Sequence, residues 1–344
     1  MTQEAADASA TTTLPPDLDR SDHALVRFVV RRVAAALLTL FVVSILVFAA
    51  TDILPGDAAS AILGKTASPQ NVAEVRDLMG LDRPAYERYA DWLGGLVGGD
   101  LGNSAAGYAQ GGELPIWNDV KGKIANSLVL AGLTTLLMIP ISLALGVASG
   151  LKAGRPSDHA ISIGSLAVIS LPEFVIGSLL ILLFFAWLDV LPPVSLIPPG
   201  ASPLAEPSKL VLPVLTLLGV TTAASVRMVR AGTVEVLRTN YVQMARLNGF
   251  RERLVVWRYV LRNALAPSVQ VFAQNIQFLI GGILVTEFLF SYPGVGKELV
   301  DAVNIRDVRE VQSHAMGIAT VYIGLNLLAD LIVVLLVPKL RTSV

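Results

Sequence analysis

The chain has 344 residues, of which 53% are hydrophobic and only 15% charged, with a formal net charge of −1. Soluble domains carry about 25% charged residues, so lipid replaces water over much of this surface. The lack of cysteine excludes disulfides and thiolate metal centres. Three histidines far apart in sequence (His23, His159, His314) do not compose a metal site.

Residues 1–25 are polar, with Thr11-Thr12-Thr13 and Pro15-Pro16, and read as a disordered tail. From residue 26 to 344 the chain reads as one membrane domain. A bilayer core of roughly 30 Å needs about 20 apolar helical residues, and six stretches between charges supply them. The first runs from Val33 to Thr51, the second lies between Lys123 and Lys152, and the third lies between Asp158 and Asp189, interrupted only by Glu173. The fourth, Leu210 to Val226, is the shortest; the fifth lies between Arg262 and Glu287, and the sixth between Glu310 and Lys339 with Asp330 inside it. Such runs are too long for core helices of a soluble domain. The first is followed by no small-residue cleavage site, so it reads as a retained span.

The connector at 52–123 carries Trp92, Trp117 and three tyrosines, enough to pack a small lobe on the bilayer. Six prolines between Pro192 and Pro207 make the loop after span three stiff and extended. Tyr292-Pro-Gly-Val-Gly296 is a turn, followed by a short amphipathic piece with Leu299, Val300 and Val303. With the N-terminus inside, cytoplasmic segments hold 16 of the 26 basic residues, while outer segments hold 10, beside 17 of the 27 carboxylates. This bias puts both termini in the cytoplasm.

The cytoplasmic loop at 227–262 contains eight arginines, opposed only by Glu235 and Glu252. Within it, Asn240 and Gln243 have the spacing of a capping box, and Gly249 supplies a left-handed stop. The intervening residues, Tyr241 to Asn248, make about two turns, roughly 12 Å, too short to be stable alone in water. The arginines by themselves satisfy the positive-inside bias. The caps and length favour a helix that docks on a cytoplasmic protein.

Ala245-Arg246-Leu247-Asn248-Gly249, with Pro267 beyond, resembles the EAA loop of permeases in ATP-binding-cassette importers. Gln243, Met244 and Ala245 stand where that family has Glu-Ala-Ala, so only the last alanine is kept, and Ala266 replaces the usual leucine. Leu54-Pro-Gly-Asp57, Leu78-Met-Gly-Leu-Asp-Arg-Pro84, Trp92-Leu-Gly-Gly95, Gly99-Asp-Leu-Gly102, Phe290-Ser-Tyr-Pro-Gly-Val-Gly296, Asn326-Leu-Leu-Ala-Asp330 and Pro338-Lys-Leu-Arg341 fit the same family in order. The resemblance is to the first permease of dipeptide and oligopeptide importers, a family that includes nickel-complex and glutathione importers. It implies an all-α type I importer bundle of six transmembrane helices with an extracytoplasmic lobe. It further implies a bacterial plasma membrane setting, a second permease subunit, two cytoplasmic ATPases and an extracytoplasmic binding protein, with no nucleic acid involved. Tyr241, Gln243, Met244, Ala245, Arg246 and Gly249 would couple to the ATPases. Asp57, Trp92 and Asp100 would meet the binding protein.

No cofactor is expected on this chain. Gly64-Lys65-Thr66 resembles the end of a P-loop, but Ala59 stands where that motif needs glycine, so ATP and magnesium belong to partners. Gln270, Gln274 and Gln277 share one face of span five, suited either to a passing peptide backbone or to joining helices. Glu173, directly after Pro172, is a second pathway candidate. Asp330 reads as one of a structural pair, and Gly146 with Gly150 as a packing site. A stand-alone secondary transporter is the alternative, but inverted repeats and several midplane carboxylates are wanting. An intramembrane enzyme would need a nucleophile and base or clustered ligands, and with no cysteine and scattered histidines it is not expected.

Overall fold

In lipid a backbone must satisfy its own hydrogen bonds, and helices do so within one segment. The computed structural model obeys this rule. It describes residues 19–53, 58–63, 68–78, 80–109 and 112–336, and among these no strand forms beyond an isolated bridge between Asn103 and Pro115. In chain order the helices are α1 (Asp19–Ile53), α2 (Ala58–Leu63), α3 (Pro69–Leu78), α4 (Ala85–Gly98), α5 (Ala105–Ala109), α6 (Ile116–Leu151) and α7 (Pro156–Ile169). Then come α8 (Glu173–Ile181, prolonged by π-helical turns to Trp187), α9 (Ser208–Leu237), α10 (Asn240–Leu247) and α11 (Glu252–Leu254, prolonged by π-helical turns to Leu261). The last are α12 (Arg262–Leu289), α13 (Val295–Ile305) and α14 (Val308–Leu336).

Among the described residues, α1, α6, α9, α12 and α14 are each long and apolar enough to cross a membrane. The third expected span is not one straight helix. It is the pair α7 and α8, bent by 104°, and it completes a set of six only if counted as one span. Pro172 is the cause: it donates no N–H and disfavours a helical conformation at Leu171, and its own ψ of 145° is extended.

Several boundaries move. With no glycine or proline to interrupt it, α1 already begins at Asp19, so residues 19–25 of the expected tail are helical, and the rest of that expectation lies outside the described residues. The outer connector expected to reach 123 stops at Pro115, after which α6 runs 36 residues. Helix α9 continues to Leu237, so Arg227 and Arg230, expected in the coupling loop at 227–262, are helical.

The centre of the bundle is α9, with 61% of its apolar window buried against 6% for α1. It packs against α6, α7, α8 and α12. Leu130 and Met138 of α6, Val214 and Leu217 of α9, and Phe272 and Leu279 of α12 share one core cluster. Gly146 and Gly150 lie on the α6 face that meets α9, as expected. A Cβ on Gly146 would sit 2.6 Å from Val229 Cβ, and one on Gly150 2.6 Å from Thr233 Cβ. At the periphery α1 packs on α14, where Arg32 Nη1 meets Asp330 Oδ2 at 2.9 Å, the pairing expected for that aspartate.

The lobe of α2 to α5 is pinned to the bundle at two places. Trp92 packs against Phe48 of α1 and Tyr89, with ring centroids 5.9 and 6.0 Å away, and the Tyr89 hydroxyl lies 2.9 Å from Ser44 Oγ. On the other side the buried Asp307 accepts from Ser104 Oγ (2.7 Å) and Ala106 N (3.0 Å), and its other oxygen accepts from Glu310 N at the start of α14.

The α6–α9 contact makes a prediction. Gly146→Leu overpacks it by about 1–3 kcal/mol, lowering the melting temperature of the detergent-solubilised protein, and Val229→Ala in the same chain recovers part of the loss. A variant that melts like the parent would show that these helices do not approach so closely.

Candidate functional site

Helix α10 is held by its inner face. Val242 and Ala245 are buried with Val255 and Val260 of the following π-helical stretch, and Val236, Leu237 and Tyr259 pack around them. The opposite edge is bare and apolar: Tyr241 is 42% exposed, Met244 61% and Leu247 81%. Gln243 and Arg246 are also exposed. Ala245, expected among the coupling contacts, therefore faces the protein's own core. Arg246 binds Glu252 through two hydrogen bonds of 2.5 and 3.1 Å, tying the end of α10 to α11.

The stop is as expected and the start is not. Gly249 has φ +77°. Its N–H donates to Arg246 O at 3.0 Å, and Phe250 N donates to Ala245 O at 3.2 Å, the bond pair of a Schellman motif. At the other end Asn240 is the first helical residue and caps nothing. Thr239 holds the cap position with extended backbone, and its hydroxyl donates back to Val236 O at 2.6 Å. The capping box fails because α9 closes with its own turn, Thr239 N to Val236 O, and places the boundary one residue earlier.

The span-five glutamines part company. The Gln270 side chain lies outside the described residues. Gln274 is exposed on the α12 edge that carries Phe278, Gly281, Val285 and Phe288, all exposed. Gln277 Nε2 donates to Asn326 Oδ1 of α14 at 2.8 Å, joining two helices. Glu173 is seated on α12, where its Oε1 accepts from Thr286 Oγ1 at 2.5 Å. Gly282 makes room for it, since a Cβ there would collide with Glu173 Oε2.

Residues 138–342 match the family described as binding-protein-dependent transport system inner membrane component, and residues 25–112 match its N-terminal companion. A di/tripeptide transport system permease of Pseudomonas aeruginosa is 33% identical over 338 residues, covering 92% of this chain and 99% of its own length. A glutathione transport system permease of Escherichia coli is 32% identical over 317 residues, with the same coverage. The chain belongs to the binding-protein-dependent transport permeases. These are membrane subunits of ATP-binding-cassette importers, and a stand-alone transporter finds no support.

Two polar pins of this permease escaped the sequence reading. In the first, buried Asp158 at the start of α7 accepts from Arg230 Nε (2.6 Å) and Nη2 (2.7 Å) of α9, from Ser149 Oγ of α6 (2.5 Å) and from Gly154 N (2.8 Å). It binds the ends of three spans on the side of α10. In the second, fully buried Glu287 of α12 accepts from Ser127 Oγ of α6 (2.5 Å) and Gly296 N (2.7 Å), while Ser127 Oγ accepts from Val295 N (3.0 Å). Tyr292 OH donates to Asn126 O at 2.7 Å; burial, and then the Glu287 carboxylate, push this phenol's pKa up. Glycines make the second pin possible, for a Cβ on Gly294 would collide with Glu287 Oε1. Both acids look like span-flanking charges in sequence. The available signals were the short-spaced glycines after Glu287 and the two arginines, Arg227 and Arg230, that follow the apolar run of α9 without a helix break.

Of the three residues expected to meet a binding protein, Asp57 lies outside the described residues. Trp92 is 3% exposed and corrects that expectation: it is a packing anchor whose ring is spent on α1. Asp100 is exposed, with Oδ1 accepting from Gly102 N at 2.8 Å. Trp92 and Asp100 nevertheless line one polar depression, together with Asp91, Asn103 and Arg309.

Breaking the first pin has a defined outcome. Asp158→Asn keeps the shape but removes the charge facing Arg230, so the melting temperature falls and cysteines introduced at the ends of α7 and α9 label faster. Arg230→Met in the Asp158→Asn background removes the stranded cation and recovers stability. Unchanged melting in Asp158→Asn would refute the pin.

Proposed function

We propose that this chain forms half of the pore of an importer for short peptides and that cytoplasmic ATPases drive it through α10. The observation that carries the reading is the bare edge of Tyr241, Met244 and Leu247 on a helix bolted to the bundle through Val242 and Ala245. Apolar and aromatic groups on such a rim suit a buried contact with another protein. Motion applied there enters α9 directly, because only Arg238 and Thr239 separate the two helices. Tyr241, Gln243, Met244 and Arg246 contact the ATPase in this reading, Ala245 anchors the helix, and Gly249 sets its angle.

Both termini then lie in the cytoplasm, supported by the arginines around α10, and the lobe of α2 to α5 faces the binding protein. ATP and magnesium reside on the ATPases. A second permease completes the pore against the exposed α12 edge, where Gln274 offers an uncharged amide to a peptide backbone. The peptide and glutathione cargoes of the relatives, all peptide-like, support this cargo class. The required switch is a two-state bundle biased from its cytoplasmic end.

Two outcomes test the reading. Because the chain has no native cysteine, Met244→Cys gives a single attachment point, and a thiol crosslinker placed there in native membranes captures an ATPase subunit. Failure to capture one in an assembled importer would overturn the proposal. Gly249→Val forces a β-branched residue into the left-handed region at about 1–2 kcal/mol. Assembly and ATP hydrolysis persist while uptake of labelled dipeptide falls; normal uptake would count against the coupling role.

A further inference from the structure

A second feature lies on the lipid-level wall of the bundle, away from α10. Helices α6, α12 and α14 leave between them an apolar cleft that encloses about 120 Å³ and is otherwise open to its surroundings. Ile124 and Leu128 of α6, Ile280 and Leu284 of α12, and Val321 and Leu325 of α14 line it, and α1 contributes no residue. Leu128 is 55% exposed and Val321 38%, so the cleft opens sideways. Along α14 it extends from Ser313 to Leu325, about 18 Å at 1.5 Å per residue. That length is close to one leaflet's share of a hydrocarbon core of roughly 30 Å.

The α6 face that lines the cleft continues beyond it. Trp117 and Lys121 precede Ile124 and Leu128 at helical spacing, so all four lie on one side of the helix. Trp117 is 53% exposed, and Lys121 is exposed with no carboxylate partner among the described residues. An apolar slot ending in an indole and a free ammonium matches a lipid, with chain below and phosphate above. The α12 edge carrying Gln274 and Phe278 points elsewhere, about a third of a turn from Ile280 and Leu284 by helical spacing. The cleft is thus distinct from the surface assigned to the second permease.

We propose that this cleft seats one acyl chain of a phospholipid whose phosphate meets Lys121. Its floor includes Ser127 and Gly296, members of the Glu287 pin, so the bound chain packs directly against that pin. Only the leaflet rests on the orientation proposed above; with both termini inside it is the outer one.

The test uses the assembled importer in nanodiscs of phosphatidylglycerol and phosphatidylethanolamine, with a photoreactive benzoyl-phenylalanine replacing Leu128. Irradiation followed by intact-mass measurement yields an adduct of one phospholipid. Lys121→Glu cuts that adduct about fivefold. The same probe replacing Phe278, on the other edge of α12, shows no such dependence on Lys121. An adduct unaffected by Lys121→Glu, or capture of a protein chain at Leu128, would overturn the proposal. Because the readout is indifferent to which leaflet supplies the lipid, a wrong orientation would leave it unchanged.

Discussion

The close approach of α6 and α9 is the contact on which the rest of the bundle depends. Lipid tails are as apolar as leucine, so burying a side chain between membrane helices gains little hydrophobic free energy. What holds such helices is dispersion at short range and hydrogen bonding out of water's reach. Gly146 and Gly150 supply the first by letting Val229 and Thr233 come within contact of the α6 backbone. Asp158 and Glu287 supply the second, one toward each end of the bundle, each collecting hydrogen bonds from more than one segment.

These contacts tie the ends of several helices together around α10. Helices α6, α9 and the α7 end are tied by Asp158 and Arg230, and α9 passes through Arg238 and Thr239 into α10. The turn after α10 is closed by the Gly249 bonds and the Arg246–Glu252 pair, which hand the chain back to α11 and α12. A force on the bare edge of α10 therefore reaches two spans at once. The π-helical stretch Val255–Leu261 lies on the return path, and such turns are frequent at functional sites in helices.

Carboxylates within apolar segments default to functional candidates, and here both have a partner on a neighbouring helix. Glu173 rests on Thr286 in a space left by Gly282, and Asp330 pairs with Arg32. Asp158 and Glu287, which looked like flanking charges, are more deeply buried than either. A carboxyl group drawn into the bundle needs fixed donors in place of its water, and for both acids one of those donors comes from a helix distant in sequence. Ser127 and Glu287 are 160 residues apart, and Asp158 and Arg230 are 72 apart.

By itself the sequence determined the helical class, the apolar segments, the basic bias of one side, the left-handed stop at Gly249 and the glycine pair of α6. Each follows from local chemistry: composition, run length, backbone freedom or spacing along one helix. The tertiary structure alone decided that α7 and α8 bend by 104°, that Ala245 and Trp92 turn inward, and that Gln277 joins α14 while Gln274 stays bare. It alone brought Asp158 to Arg230 and Glu287 to Ser127. Helical periodicity names the faces of a helix, but which face meets a neighbour depends on where the other helices stand, and no local pattern carries that information.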